Sequence, residues 1–331
     1  MGNLMELVCE PSNLAYAFIK ASRGKQAKKE VISFRAHLWD NLNEMGRTLF
    51  DGTYRFGQYH TFTIFDPKER LICAAPFRDR VAMHALMRIC HPIFDNYQMP
   101  HSFASRIGRG TYAALERTIY LCKRFPCYAK LDVCHYFDTI HHNTLRKQLS
   151  SLFKDPVLLK LFDDLLSTFD VTSGRGLPIG NLTSQYFANH YLSVADHFAK
   201  EKLRVPAMVR YMDDVLLFAT DYKAQKSYIR EYVSFVETIL RLEMHQPIVN
   251  DTRLGIPFCG YIVRSSGLRL SQRSRHRYRM KMASLRRKYQ NGDISLTEYG
   301  QRIQALRAFV GKAIAEHFIQ SESEVAKIAI K

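Results

Sequence analysis

Two adjacent carboxylates, Asp213 and Asp214, stand between two apolar runs, Ala207-Met208-Val209 and Val215-Leu216-Leu217-Phe218. An apolar run, a short polar break and a second apolar run predict strand, tight turn and strand. Carboxylates at such a turn suit a divalent cation, and their hard oxygens favour magnesium. A third carboxylate, Asp132, ends the strand-like stretch Tyr128–Val133, 81 positions upstream with helical segments between. Adjacent strands of one sheet would bring all three together. Two divalent metals can activate a hydroxyl and neutralise a triphosphate, if carboxylates hold them about 4 Å apart. Asp132, Asp213 and Asp214 are therefore the candidate catalytic and metal-holding residues. Asp132 alone would read as a helix cap or surface carboxylate, and a lone Asp-Asp as a polar turn. The combination favours the metal reading.

Other elements must hold these residues in place. Residues 1–50 read as mainly helical, with Leu38, Leu42, Met45 and Leu49 at helical spacing within Ser33–Phe50. Phe56–Phe65 is strand-like, ends at Asp66-Pro67, and is expected to form a hairpin with Arg70–Ala74. Helices are predicted at Arg78–Ile89, Tyr112–Lys123, Leu145–Leu152, Pro156–Phe169, Ser184–Leu203 and Lys223–Leu242. Loops are predicted at Ser102–Gly110 and Gly174–Gly180, and short strands at Ile256–Tyr261 and Leu268–Ser271. Beyond Tyr261 the composition shifts: Arg264–Lys288 holds ten Lys or Arg and no Asp or Glu. Two helices parted near Asn291-Gly292-Asp293 follow. These elements predict an α+β body over 1–262 and a basic helical domain over 263–331.

At 331 residues with 47% hydrophobic content the chain can bury a real core, and its net charge of +17 favours a polyanionic partner. A second basic cluster, Lys20, Arg23, Lys25, Lys28 and Lys29 around Gly24, reads as a segment near phosphates or as a solvated face. The seven cysteines are odd in number and form no CxxC pair, so free thiols in a reducing compartment are expected, and no zinc site. No basic start precedes a long apolar run, and no 18-residue apolar stretch occurs. A cytoplasmic protein without a membrane partner is expected.

Several segments resemble reverse transcriptases in order and spacing over roughly residues 50–265, and more weakly into the basic region. Lys130-Leu131-Asp132-Val133-Cys134-His135-Tyr136-Phe137 resembles the family's first catalytic block, and Tyr211-Met212-Asp213-Asp214 its second. The resemblance implies a right-hand polymerase fold, with fingers and palm over 1–262 and a helical thumb over 263–331. It implies RNA-directed DNA synthesis from deoxynucleoside triphosphates with two Mg2+ ions, for which Mn2+ can substitute. The metals would be held by Asp132, the Val133 carbonyl, Asp213 and Asp214. Phe137 falls at the steric gate beneath the sugar; a core position is its plainer account. Arg70 and Arg78, with Lys68 beside them, would meet the triphosphate. Gly176–Gln185 resembles the loop that contacts template and nucleotide, and assigns Ile179, Gly180 and Gln185 to nucleotide binding. Ile179 stands where most of the family carries Gln, which would loosen base selection. Phe258-Cys259-Gly260-Tyr261 resembles the primer grip, assigned to Phe258, Gly260 and Tyr261. Arg106 and Arg109, beside Gly108 and Gly110, would contact template phosphates. Arg273, Arg275, Arg277, Arg279 and Lys281 would hold an RNA–DNA duplex, with Tyr278 and Tyr289 available to stack. Leu242–Pro247 lacks the lysine that related enzymes carry after the helix, and His245 is the titratable residue near that place.

Ile179-Gly180 with Ser184-Gln185, and Ser102-Phe103-Ala104-Ser105-Arg106 with Gly108-Arg109-Gly110-Thr111, resemble the enzymes of diversity-generating retroelements. That resemblance implies error-prone copying of a template RNA and a small basic accessory protein as partner. The Ser102–Thr111 stretch is likewise similar to related bacterial reverse transcriptases of unassigned or antiphage role, the latter using a dedicated structured noncoding RNA. A third reading is a non-catalytic RNA-binding scaffold, against which the three carboxylates speak.

Overall fold

The computed structural model describes residues 3–65 and 69–310. Lys68 and the Asp66-Pro67 strand end lie outside the described residues, as does the end of the expected thumb. Four helices open the chain: α1 (Leu4–Cys9), α2 (Pro11–Ser22), α3 (Lys29–Ala36) and α4 (Leu38–Phe50). The single helix expected over 33–50 is broken at His37, whose φ of −124° and ψ of 47° leave the helical region. An antiparallel hairpin follows, β1 (His60–Phe65) with β2 (Glu69–Ala74). Next come α5 (Phe77–Tyr97) and α6 (Thr111–Cys122). Helix α5 runs well past the expected Ile89 and carries Pro92 inside it.

Strand β3 (Cys127–Leu131) leads into a one-turn helix α7 (Tyr136–Thr139), then α8 (His142–Leu152), α9 (Pro156–Leu166) and α10 (Leu182–His197). A π-helical turn, Phe198–Lys202, ends α10, where a continuous helix to Leu203 was expected. The expected strand–turn–strand is present as β4 (Ala207–Tyr211) and β5 (Asp214–Ala219). Helix α11 (Tyr222–Thr238) is followed by β6 (Ile248–Asp251), a strand absent from the sequence reading. A three-stranded meander, β7 (Ile256–Phe258), β8 (Tyr261–Arg264) and β9 (Gly267–Leu270), precedes α12 (Gln272–Gln290) and α13 (Leu296–Val310). The expected strand Ile256–Tyr261 is thus a hairpin turning at Cys259-Gly260, and the expected boundary at 262 falls inside β8.

The central sheet has the order β4-β5-β3-β6, all neighbours antiparallel. Its strands alternate between two cores. Ala129, Leu131, Met208, Val215 and Leu217 pack with the helices on one face, and Tyr128, Val209, Leu216 and Phe218 with α6 and the meander on the other. Burial on both faces explains why these strands read as unbroken apolar runs rather than alternating ones. Among the described residues no helix is long and apolar enough to cross a membrane.

Candidate active site

Register places the three aspartates together. Leu131 pairs with Val215 across β3 and β5, so the next residue outward, Asp132, comes opposite Asp214 at the same end of the sheet. Tyr211 pairs with Asp214 across a two-residue turn, Met212-Asp213. Met212 has φ 56°, a left-handed conformation that costs a non-glycine residue about 1 kcal/mol or more.

That turn rests on Arg210, which is fully buried. Its Nη1 donates to the Met212 carbonyl at 3.0 Å and to Asn189 Oδ1 at 2.8 Å. Its Nε and Nη2 hold both carboxylate oxygens of the equally buried Asp196, at 2.7–2.9 Å. Nη2 also donates to Gln98 Oε1 at 3.1 Å. Burial alone would lower the Arg210 pKa, but the Asp196 carboxylate outweighs it and the group is held charged, its pKa raised. The side-chain partners of Arg210 lie 14, 21 and 112 positions away, so the sequence does not announce this network. Its only trace there is a charged residue inside an otherwise apolar strand.

The three carboxylates act on one another's charge. Burial and then the Asp132 charge raise the Asp213 pKa, while Arg70 on β2 acts to lower it. Burial pushes Asp214 up to about 7; Lys130 opposes this, and Asp132 and Asp213 add to it. Lys130 lies 3.0 Å from Asp214 Oδ2 and donates to the Pro257 carbonyl at 3.1 Å, linking the aspartates to β7. Asp214 Oδ1 is buried with no hydrogen-bond partner. An acceptor of this kind, in a cluster whose like charges raise one another's pKa, is what a divalent cation would relieve. Among the described residues no three His, Cys, Asp or Glu side chains close into a metal cage. Asp132, Asp213 and Asp214 present oxygen donors alone, the donor type that magnesium takes.

The backbone after β3 is strapped from the far side. The Asp132 carbonyl accepts from His245 N at 2.9 Å, and Cys134 N donates to the Glu243 carbonyl at 2.8 Å. An isolated bridge pairs Val133 with Met244. His245 is therefore a backbone neighbour of Asp132, with an exposed side chain. Phe137, on α7, is partly buried against the main core. Its carbonyl accepts from Leu177 N at 2.7 Å, fixing α7 to the loop that carries Ile179 and Gly180.

The same loop seats the β1–β2 hairpin. Cys73 N donates to the Ile179 carbonyl at 2.8 Å. Gly180 has φ 113°, and a Cβ there would stand 3.0 Å from Ile72 Cγ2, so only glycine allows this approach. Gln185 lies in the first turn of α10, partly buried. Arg70 is brought towards the aspartates; Arg78 is not. The Arg78 guanidinium lies 4.6 Å from the Tyr54 ring centroid and 3.7 Å from Glu44.

Several expected nucleic-acid contacts take a different place. Arg106 is 8% exposed, bound to Asp95 at 2.6 Å and to the Met99, Ser102 and Asp95 carbonyls. Its donors hold the 95–110 segment and are not presented to a template. Arg109 is exposed and donates to the Pro100 carbonyl, between Gly108 and Gly110, which have open space where a Cβ would be. Phe258 and Tyr261 are buried to 1% exposure, so their side chains serve the core. What β7–β8 presents is its turn, Cys259-Gly260. Burial and then the Asp214 charge push the Cys259 thiol up, which sets this turn beside the aspartates. Gly260 approaches α12 so closely that a Cβ would meet Ser274 Oγ at 3.0 Å.

On α12, Arg273, Arg275, Arg279 and Lys281 are exposed and Arg277 partly so, while Ser274 and Tyr278 face inward. Tyr278 is too buried to stack on a base. Tyr289 stacks on Tyr299 of α13, with centroids 4.8 Å apart, and joins the two helices.

No known protein-family profile matches the chain. It is 28% identical over 137 residues to an uncharacterized 91 kDa protein in the cob intron of Schizosaccharomyces pombe, covering 40% of this chain and 17% of that protein. It is 25% identical over 233 residues to protein YkfC of Escherichia coli, covering 56% of this chain and 60% of YkfC. The chain thus spans less than two thirds of either relative. Apo telomerase from Candida tropicalis superposes with a TM-score of 0.51 at 11% identity, over 66% of this chain and 49% of the telomerase. That likeness shows a shared fold of mixed helix and sheet.

Proposed function

We propose that this chain is a reverse transcriptase: an RNA-directed DNA polymerase that adds deoxynucleotides to a 3′-hydroxyl and releases pyrophosphate. The observation that carries this reading is the convergence of Asp132, Asp213 and Asp214 at one end of a buried sheet, with Arg70 of a separate hairpin near enough to act on the Asp213 charge. In this reading the central sheet is the palm, the β1–β2 hairpin belongs to the fingers, and α12–α13 form the thumb. The aspartates and the Val133 carbonyl would hold two Mg2+ ions, or Mn2+ in their place. When bound, such ions neutralise the triphosphate and lower the pKa of the attacking hydroxyl. Arg70 adds positive charge where the triphosphate must lie. The turn at Cys259-Gly260 would meet the primer end, and the exposed cations of α12 would grip duplex phosphates without reading sequence.

Phe137 closes the sugar pocket in this arrangement. Phe137→Ala is expected to lower discrimination against ribonucleotides by about 10- to 100-fold, the scale of opening one steric contact. Incorporation of each nucleotide type on one template measures it; unchanged discrimination removes Phe137 from the gate.

The raised carboxyl pKa values give a second expectation. A carboxyl whose folded pKa lies above its unfolded value destabilises the fold once ionised. The penalty is absent below about 4 and grows as pH rises to about 7, the folded value for Asp214. A bound divalent cation removes that penalty. Mg2+ is therefore expected to raise the melting temperature over an EDTA control more at pH 7.5 than at pH 5. An equal effect at both would place the ion elsewhere.

Within the family we place the chain with the enzymes of diversity-generating retroelements, on Ile179-Gly180, Ser184-Gln185 and the Ser102–Thr111 segment. That reading adds error-prone copying of a template RNA and a small basic accessory protein. Sequencing the RNA and cDNA that copurify with the protein tests it. Adenine-specific changes in the cDNA support it. Faithful copying of one structured noncoding RNA, or untemplated homopolymer, assigns an antiphage role instead.

A further inference from the structure

Three separate elements bring cations to one surface on the N-terminal helices. Helix α5 contributes Arg80 and Arg88, with His84 between them on the same four-residue stripe; α2 contributes Lys20; and the segment into α3 contributes Lys25 and Lys28. Two of these cations share one ring: the Arg88 guanidinium lies 4.3 Å and Lys20 Nζ 5.1 Å from the centroid of Tyr16. Arg88 is fixed there by the buried Asn13, whose Oδ1 accepts from it at 3.0 Å. Asn13 is itself held by the Val8 and Ala85 carbonyls.

The crowding is electrostatic as well as geometric. Burial, then Arg80 and Lys28, lower the Lys25 pKa, with Glu30 the carboxylate opposing them. Burial, then Lys25, Lys20 and Arg80, lower the His84 pKa. Glu30 is already bonded to Arg80. Ordinary surfaces intersperse charges of both signs; here like charges are gathered and held, at a cost in stability that a polyanion would reverse. The surface is also separate from the aspartates. The cations that act on Asp213 and Asp214 are Arg70, Arg210 and Lys130, none of them from this patch.

We propose that this surface is a second RNA site, which takes the phosphates of a folded stretch of RNA outside the catalytic cleft. The proposal rests on the reverse transcriptase reading for its choice of RNA as the polyanion. Such a site would hold the structured part of a template while the cleft copies an unpaired part, binding through phosphates and shape rather than base readout.

The test uses the full chain with Lys20→Gln, Lys25→Gln and Lys28→Gln combined. Lys20 and Lys28 are exposed and Lys25 is half-buried, and none of the three takes part in the Asn13–Arg88 contact. Affinity for a folded RNA hairpin is measured across a salt series, and primer extension on a short preannealed RNA–DNA duplex is measured beside it. If the site is real, hairpin binding weakens at least 10-fold and the slope of log K against log salt becomes shallower by about 2 to 3. Extension of the short duplex stays within twofold of the parent. Hairpin affinity and slope equal to the parent's overturn the proposal. So does loss of binding to anionic phospholipid vesicles with hairpin binding retained, which would make the patch a membrane contact. A parent chain that binds the hairpin but extends no primer sinks the polymerase reading and leaves the RNA site standing.

Discussion

Replacing Asp213 by Asn is expected to reduce primer extension by at least ~10³-fold, because the substitution removes an anionic ligand from a site whose metals supply several kcal/mol of transition-state stabilisation. The same change is expected to leave the metal-free protein as stable as the parent at pH 7.5, or more so. Asp213 is raised by burial and by the Asp132 charge, so its ionised form is a burden on the fold that a neutral amide does not carry. Asp214 should behave differently. Removing its carboxylate also relieves repulsion, but it takes the ion-pair partner from Lys130, leaving the Pro257 carbonyl as that ammonium's contact. Asp214→Asn should therefore lose activity as fully as Asp213→Asn without the gain in melting temperature. Extension under single-turnover conditions and melting in EDTA separate the two quantities. RNA binding should persist in both variants, since the basic α12 lies on other elements. A variant that melts lower in step with its lost activity would show a structural role, and the site would need another set of carboxylates.

The aspartate pair was legible because burial on both faces of β4 and β5 left long apolar runs around a two-residue turn, and little else in the chain has that pattern. Asp132 was legible for the same reason, as the first polar residue after β3. The two-core packing also explains why helix ends were less well read. Helix α5 continues through Pro92 because its buried residues, among them Cys90 and Phe94, stay in register with the core beyond it. Strand β6 escaped notice because it is four residues long, lies at the sheet edge and ends in Asn250-Asp251. Side-chain roles were harder than elements. Arg106 and Arg109 differ by three positions in one glycine-rich loop, yet the first is anchored on Asp95 and the second is exposed. Only tertiary structure decides that. Phe258 and Tyr261 matched a primer-contacting segment as a string, but the two-residue turn between them, not their rings, faces the aspartates.

Arg210 is the residue whose importance sequence patterning hid most completely, and its replacement is expected to have the largest effect on stability. Its partners come from 14 and 112 positions upstream, on α10 and just beyond α5, so no local spacing announces them. Arg210→Met strands the Asp196 carboxylate in a fully buried position, and breaking a buried pair from one side costs about 3–5 kcal/mol. Adding Asp196→Leu removes the stranded charge and should restore much of the lost stability, since well-packed apolar replacements of buried ion pairs are often neutral or better. Activity should not follow. In both variants the Met212 carbonyl has lost the Nη1 donor that holds a left-handed residue between Arg210 and Asp213. A turn free to relax moves Asp213, and misplacement by about 1 Å costs on the order of 10²-fold in rate. The double variant is therefore expected to melt near the parent temperature and to extend primers about 10- to 100-fold more slowly, with nucleotide KM little changed. Urea denaturation and pre-steady-state extension decide it. Recovery of rate together with stability would mean that Arg210 supports the fold alone and that the strained turn keeps its own shape.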